Sequence, residues 1–367
     1  MLTETRVPYL DLAAQYATIK DEIAAAIDDV IRRCAFVSGP AVDRFESAFA
    51  RYCEAQDCIA VGSGTDALHL SLLALGVGPG DEVITQTNTF VATLEAIVYT
   101  GATPVLVDVV PPEYVIDLDA VTAAITPRTK AIIPVHLFGQ PTPMEPVEVL
   151  AAKHGIAVLE DASQAHGARY GGRRVGSRNM ATWSFYPGKN LGAYGEAGGI
   201  TLTDGSQSRT LRLLRSHGSE RKYEHEILGY NYRMDGIQGA VLDVKLRYLD
   251  RWNARRRHIA AIYDAALTGV QKPKVPADVE HVYHIYPIFV DHRDAFRDRL
   301  SKRGIDTNVH FPGPCNLQPS FSYLGYERGA FPHSEMIAQK EVSLPIFAEM
   351  TDETAKRVAA EVLASME

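Results

Sequence analysis

The chain alternates short apolar runs with amphipathic stretches, and that alternation predicts most of its elements. Ala67, Leu68, Leu70, Leu72, Leu73 and Leu75 give a helix with a broad apolar face, ended by the glycine-rich stretch 76–80. Residues 59–61 and 82–84 read as strands, 91–99 as a helix stopped at Gly101, and 105–109 as a strand. A helix over 119–125, a strand over 131–135 and a helix over 145–154 capped by Gly155 follow. The run 156–159 is a strand that stops at the acidic pair Glu160-Asp161, and 181–186 is a further apolar run. Short apolar strands separated by helices of this length indicate βαβ units and a mostly parallel sheet buried on both faces.

The pattern changes after about residue 235. One long helical stretch is expected from 236 to about 266, carrying the charge cluster Arg251, Arg255, Arg256 and Arg257, followed by a Lys/Pro segment at 271–276. Beyond it come a strand near 283–290, a helix at 295–303, a loop at 310–319 and a final helix at 351–366. A length of 367 residues exceeds one simple core. The expected division is a large domain over 1–250, including the N-terminal segment, and a smaller C-terminal α+β domain over 251–367.

Composition narrows the function. Hydrophobic residues at 46% and charged residues at 22% exclude disorder as the main state. The 37 basic against 45 acidic side chains leave a net charge of −8, which disfavours nucleic acid and anionic membrane surfaces as partners. No stretch approaches the roughly 18 apolar residues of a membrane span. The first residues lack the basic and apolar regions of a secretory leader, so the expected location is the cytoplasm. Cys34, Cys53, Cys58 and Cys315 form no CxxC pair, which points to incidental thiols rather than to a disulfide scaffold or a zinc site. No metal is expected.

In an open α/β sheet, ligands sit beyond the carboxyl ends of the strands. After 59–61 comes Gly62-Ser63-Gly64-Thr65-Asp66, leading straight into a helix. Such a turn can aim backbone N–H groups at a phosphate, or Ser63 or Thr65 can simply cap the helix. After 156–159 comes Asp161, which can cap a helix or face a cationic ring nitrogen, since a buried carboxylate needs a partner. After 181–186 comes Pro187-Gly188-Lys189-Asn190-Leu191-Gly192. A glycine-flanked lysine there is either a solvated loop residue or a desolvated amine with a lowered pKa, suited to a Schiff base. Taken together, a phosphate cradle, a strand-end Asp and such a Lys are the parts pyridoxal phosphate requires.

At this point the chain resembles the DegT/StrS-type sugar aminotransferases, within the aspartate-aminotransferase fold. The resemblance is carried by Phe36-Val37-Ser38-Gly39-Pro40, by 62–68, by Glu160-Asp161-Ala162-Ser163-Gln164-Ala165-His166-Gly167, by 184–192 and by Gly229-Tyr230-Asn231-Tyr232-Arg233-Met234-Asp235, in the family's order over nearly the whole chain. It implies a fold type I transferase with a mostly parallel seven-stranded sheet. It implies that Lys189 binds the aldehyde of pyridoxal 5'-phosphate and shuttles the proton. Asp161 would pair with the pyridine nitrogen and Gln164 approach the ring oxygen. Gly64, Thr65 and Ser184 would hold the phosphate, and Phe90 would stack on the ring. Asn231 would reach the phosphate of a neighbouring subunit's cofactor, which implies a homodimer with shared active sites.

The loop 184–193, the segment 136–140 and Asn308-Val309-His310-Phe311-Pro312 look like those of enzymes that aminate C-3 of a nucleotide-linked 3-keto-6-deoxyhexose. By that resemblance dTDP is the favoured nucleotide, L-glutamate the amino donor, and Tyr186, His310 and Phe311 the substrate contacts. Phe311 departs from the tyrosine frequent in that group and removes one possible substrate hydrogen bond. The alternative is another nucleotide keto sugar, either a C-4 keto sugar or a 3-keto acetamido-uronic acid. Lys189 argues against the relatives in which histidine replaces the lysine and the reaction is dehydration. A dinucleotide-dependent dehydrogenase is disfavoured because the early turn is not GxGxxG, and a non-catalytic regulator because Lys189, Asp161 and the phosphate loop are all present. His281 and His284 read as structural or substrate-lining, and Arg251–Arg257 as a solvated helix face.

Overall fold

The structure is a computed structural model and describes residues 6–366. Among these residues seven strands build the main sheet: β1 (Asp57–Val61), β2 (Glu82–Gln86), β3 (Thr103–Val107), β4 (Thr129–Ile133), β5 (Ala157–Asp161), β6 (Met180–Ser184) and β7 (Gly198–Leu202). Their spatial order is β1-β7-β6-β5-β4-β2-β3, and β7 runs against its neighbours while the rest share one direction. The expectation of a mostly parallel seven-stranded sheet therefore holds. The apolar run in most of these strands follows from helices covering both faces, which leaves no solvated side to alternate with.

On one face, Phe45 and Phe49 of helix Pro40–Tyr52 meet Phe185 and Trp183 edge to face, with ring centroids 5.2 Å apart. Each buried aromatic contributes about 1.5–3 kcal/mol, and this wall braces β6 and the loop that leaves it. A second core gathers around a two-stranded antiparallel sheet, β8 (Tyr286–Phe289) with β9 (Glu341–Leu344). Helices Leu249–Ala266, Arg293–Lys302 and Asp352–Ala364 supply its other side, and Val7 joins it from the N-terminal end.

Most predicted elements appear within two residues of their expected bounds. Two strands sit two residues earlier than read, at Thr103–Val107 and Thr129–Ile133. The acidic pair ends β5 instead of following it. Helices Leu12–Arg32 and Pro40–Tyr52 lie where no element was read. Their signals are present: Ile19, Ile23 and Val30 recur at helical spacing and are buried, and the Asp11 carboxylate accepts from Ala14 N–H at 2.8 Å. The expected single helix over 236–266 is two, Gly236–Leu246 and Leu249–Ala266. The first packs on the two N-terminal helices and the second on the last helix, so the break falls where the chain passes from one set of partners to another. Among the described residues no helix is long and apolar enough to cross a membrane.

Candidate active site

Because the strands other than β7 share one direction, their carboxyl ends lie along one edge of the sheet. Segments following β1, β2, β4, β5 and β6 open there on one cavity of about 760 Å³. Gly64, Thr65, Phe90, Asp161, Gln164, Ser184, Tyr186, Lys189, His310 and Phe311 all line it. Asn231 does not. It is exposed and pairs through a backbone bridge with Ser216.

The turn after β1 caps the helix and also lies at the cavity. Ser63 Oγ accepts from Asp66 N–H at 3.1 Å and caps helix Gly64–Ala74. Gly64 and Thr65 then begin the helix at the cavity wall, where unpaired N–H groups and the helix dipole favour an anion. A Cβ on Gly64 would meet Ser184 Cβ at 2.7 Å, and a Cβ on Gly198 would meet Ser63 O at 2.1 Å. Glycine at both positions lets the end of β6 press against the helix start, which brings Ser184 beside it.

Asp161, 5% exposed, closes β5 with its side chain at the cavity. Thr93 Oγ1 donates to Oδ2 at 3.0 Å and Ser163 N–H to Oδ1 at 3.2 Å. These two bonds use about half of a carboxylate's acceptor sites. A buried carboxylate so held is oriented but retains capacity for a cationic N–H. Glu160, one residue earlier, points to the other face and meets His136 Nε2 at 2.8 Å and Asn179. Gln164 is anchored through Oε1, which accepts from Phe138 N–H at 2.6 Å, so its NH2 end is the group that bond does not use.

Lys189 sits on the loop after β6, in the same cavity. Burial lowers its pKa to about 8, and the nearby Asp161 carboxylate opposes that shift in part. A free amine is thus accessible near neutral pH, as a carbonyl-binding lysine requires. Burial, and then the Lys189 charge, pushes His310 down to about 4, so its imidazole is neutral at neutral pH. The residues present fit pyridoxal phosphate: an amine of lowered pKa for the aldehyde, an oriented carboxylate for a protonated ring nitrogen, and a helix start for the phosphate. Phe90 is 54% exposed at the cavity mouth, 5.4 Å from the Phe311 ring, and offers an apolar face there.

Several lining residues escaped the sequence reading. Thr93, which orients Asp161, lies one turn into the helix that Phe90 begins, and a hydroxyl at that spacing was its available signal. Tyr9, Arg256 and Asn308 come to the cavity from distant parts of the chain. His284 lines it, whereas His281 is buried and accepts from Tyr283 N–H at 2.7 Å. The expected solvated Arg251–Arg257 face is corrected at Arg256, which is 4% exposed. Its Nη1 donates to the carbonyls of Ile346 at 2.8 Å and Tyr283 at 3.1 Å, tying helix Leu249–Ala266 to the strand-end segments beside the cavity. Arg256→Ala leaves those carbonyls unpaired and should lower stability by roughly 2–3 kcal/mol, read as a drop in Tm. An unchanged Tm would show that the tie carries no stability.

Residues 17–363 match the DegT/DnrJ/EryC1/StrS aminotransferase family. The chain is 45% identical, over 97% of both chains, to a Geobacillus stearothermophilus protein named "Pleiotropic regulatory protein". It is 44% identical to the "dTDP-3-amino-3,4,6-trideoxy-alpha-D-glucose transaminase" of Streptomyces venezuelae, over 96% of this chain and 94% of that one. The crystal structure of S. venezuelae DesV in complex with a ketimine intermediate superposes with a TM-score of 0.97 at 43% identity, over 99% of both chains. An amine, a carboxylate and a helix start converge at the ends of a parallel sheet, and the whole chain shares sequence and fold with these proteins: it belongs to the DegT/DnrJ/EryC1/StrS aminotransferase family.

Proposed function

We propose that the protein is a pyridoxal 5'-phosphate-dependent aminotransferase that moves an amino group from L-glutamate to C-3 of a nucleotide-linked 3-keto-6-deoxyhexose, with dTDP as the nucleotide. The observation that carries the chemistry is the meeting of Lys189, Asp161 and the start of helix Gly64–Ala74 on one cavity. The likeness to the S. venezuelae transaminase supports the sugar position. Pyridoxal phosphate, when bound, supplies an aldehyde for the amino group and a ring that accepts electrons. Lys189 Nζ would hold that aldehyde and, as a free amine, would take and return the proton that the transfer moves. One lysine serves both half-reactions because both need a base within hydrogen-bond reach. Asp161 keeps the ring nitrogen protonated, Thr93 and Ser163 fix Asp161, and Gln164 meets the ring oxygen. Gly64, Thr65 and Ser184 hold the phosphate, and Phe90 covers the ring. Tyr186, His310 and Phe311 face the sugar nucleotide.

The proposal includes a homodimer in the cytoplasm, in which Asn231 completes the partner's phosphate site. The exposure of Asn231 and of the apolar Val37, Tyr186 and Leu228 supports such an interface. It also includes the division at 250/251. The separate core around β8 and β9 supports this, although Val7 enters that core from the other end of the chain.

The test is the absorption spectrum of the purified protein before and after L-glutamate. The expected result is a visible cofactor band that L-glutamate bleaches and the keto sugar restores. A band indifferent to L-glutamate points to another donor. Restoration by a C-4 keto sugar alone overturns the C-3 assignment, restoration by a 3-keto acetamido-uronic acid alone overturns the 6-deoxyhexose, and no band after added pyridoxal phosphate overturns the enzyme reading.

A further inference from the structure

Strand β9 carries an unusual buried face. Side chains alternate along a strand, and here Val342 and Leu344 enter the second core while Glu341 and Ser343 face the other way. Both are fully buried, so both need partners. The partner is the cavity loop. Asn308 and Ser343 pair through their backbones, with N–H to O distances of 3.2 and 2.9 Å, which fixes the register. His310 N–H then donates to Glu341 Oε2 at 2.7 Å. Ser343 Oγ lies in a very short contact with Glu341 Oε1, and His310 Nδ1 lies 2.8 Å from Ser343 Oγ. The three side chains form one line from the cavity into the protein, ending on a buried carboxylate. Nδ1 is used within this line, so Nε2 is the nitrogen of His310 left to meet a ligand.

We propose that Glu341 and Ser343 are positioning residues that set which nitrogen of His310 carries its proton, and thereby whether His310 donates to or accepts from a substrate oxygen. The inference rests on the placement of His310 against the sugar nucleotide argued above. The geometry allows two states. With Glu341 ionised, Ser343 O–H donates to Oε1, Ser343 Oγ accepts from His310 Nδ1–H, and Nε2 is an acceptor. With Glu341 protonated, Oε2 is already accepting from His310 N–H, so the carboxyl proton must sit on Oε1. It donates to Ser343 Oγ, Ser343 O–H turns to His310 Nδ1, and Nε2–H becomes a donor. The change adds one proton to the line: one arrives at Nε2, the Nδ1 proton passes to Ser343, and the Ser343 proton passes to Glu341. The ring is neutral in both states.

The surroundings place this change in a useful range. Burial raises Glu341 to about 8, opposed by the hydrogen bonds from Ser343 and His310 and by Arg293 and Arg297. Tyr9 faces Glu341 and Ser343 from the N-terminal segment, and Lys189, His284 and Arg256 are the other charged or titratable neighbours around His310. Below about pH 8 the relay therefore offers Nε2–H, a donor suited to the phosphate or keto oxygens of a sugar nucleotide, which only accept.

The experiment uses holoenzyme labelled with 15N-histidine, with the His310 ring signals identified by their loss in His310→Gln. Spectra from about pH 6 to about pH 9 should show Nδ1 changing from unprotonated to protonated in the wild type. Glu341→Gln should hold Nδ1 unprotonated throughout, because its amide NH2 can only donate to Ser343. Ser343→Ala should also lose the exchange, and the visible cofactor band checks that each variant is folded. A His310 that keeps one tautomer in the wild type, or exchanges alike in Glu341→Gln, overturns the relay and leaves the placement of His310 standing. In parallel, the wild-type KM for dTDP-linked 3-keto-6-deoxyhexose should rise about tenfold across that titration, and that of Glu341→Gln should stay flat. Tautomer exchange with an unmoved KM overturns the recognition role and, with it, the placement of His310 against substrate.

Discussion

Lys189→Ala should abolish transamination while leaving the fold intact. The side chain sits on a loop braced from below by Phe185 and Trp183, and its removal touches none of those contacts. What the substitution removes is the amine proposed to hold the aldehyde and the base proposed to move the proton. Positioned acid–base groups alone contribute roughly 10²–10⁴-fold, so turnover should fall by at least that factor, and the glutamate-dependent bleaching should slow in parallel. A variant that transaminates at the wild-type rate removes Lys189 from the mechanism. The lowered pKa adds a pH signature. Only the free amine attacks an aldehyde, and in a group with pKa about 8 that fraction grows with pH until 8 is passed. Capture of pyridoxal phosphate by the apoprotein should speed up about tenfold per pH unit on the acid side and level off above 8. A rate still climbing toward pH 10 would mean that Lys189 titrates as an ordinary solvated lysine.

Asp161→Asn is the second large effect. Asparagine matches the shape and can still accept from Ser163 N–H, and the Thr93 hydroxyl can turn to Thr89, whose Oγ1 lies 2.9 Å away. The fold and the visible band should survive. The negative charge proposed to keep a ring nitrogen protonated is gone, and one preorganised electrostatic partner is worth roughly 10²–10³ in kcat. The expected loss is of that size, in both half-reactions. Unchanged kinetics would refute the role assigned to Asp161. Thr93→Val should produce a smaller loss of the same kind, since it removes orientation and keeps the charge.

Much of this site can be read from local sequence. A glycine turn that opens a helix, an acidic residue at a strand end and a glycine-flanked lysine after an apolar run are local patterns, and each is found at the cavity. The capping reading of the first holds: Ser63 caps the helix while its neighbours line the cavity. Other residues carry no such local mark. Arg256 stands among three other arginines on a helix that reads as solvated, and only the approach of Tyr283 and Ile346 buries it. Glu341 and Ser343 look like the polar half of an alternating strand, whose polar side ordinarily faces water. The loop 308–310 covers that side instead.

The sequence by itself determined the type and order of most elements between residues 57 and 184, the groups available for chemistry and the resemblance to a family. Hydrophobic period, caps and turns act between residues a few positions apart, so they can be read along a line. The tertiary structure decided which strand ends meet, where the helical stretch after residue 235 breaks, and which charges are buried. Those outcomes depend on contacts between segments far apart in the chain, and the energy of a charge depends on what surrounds it in space, not on its neighbours in sequence.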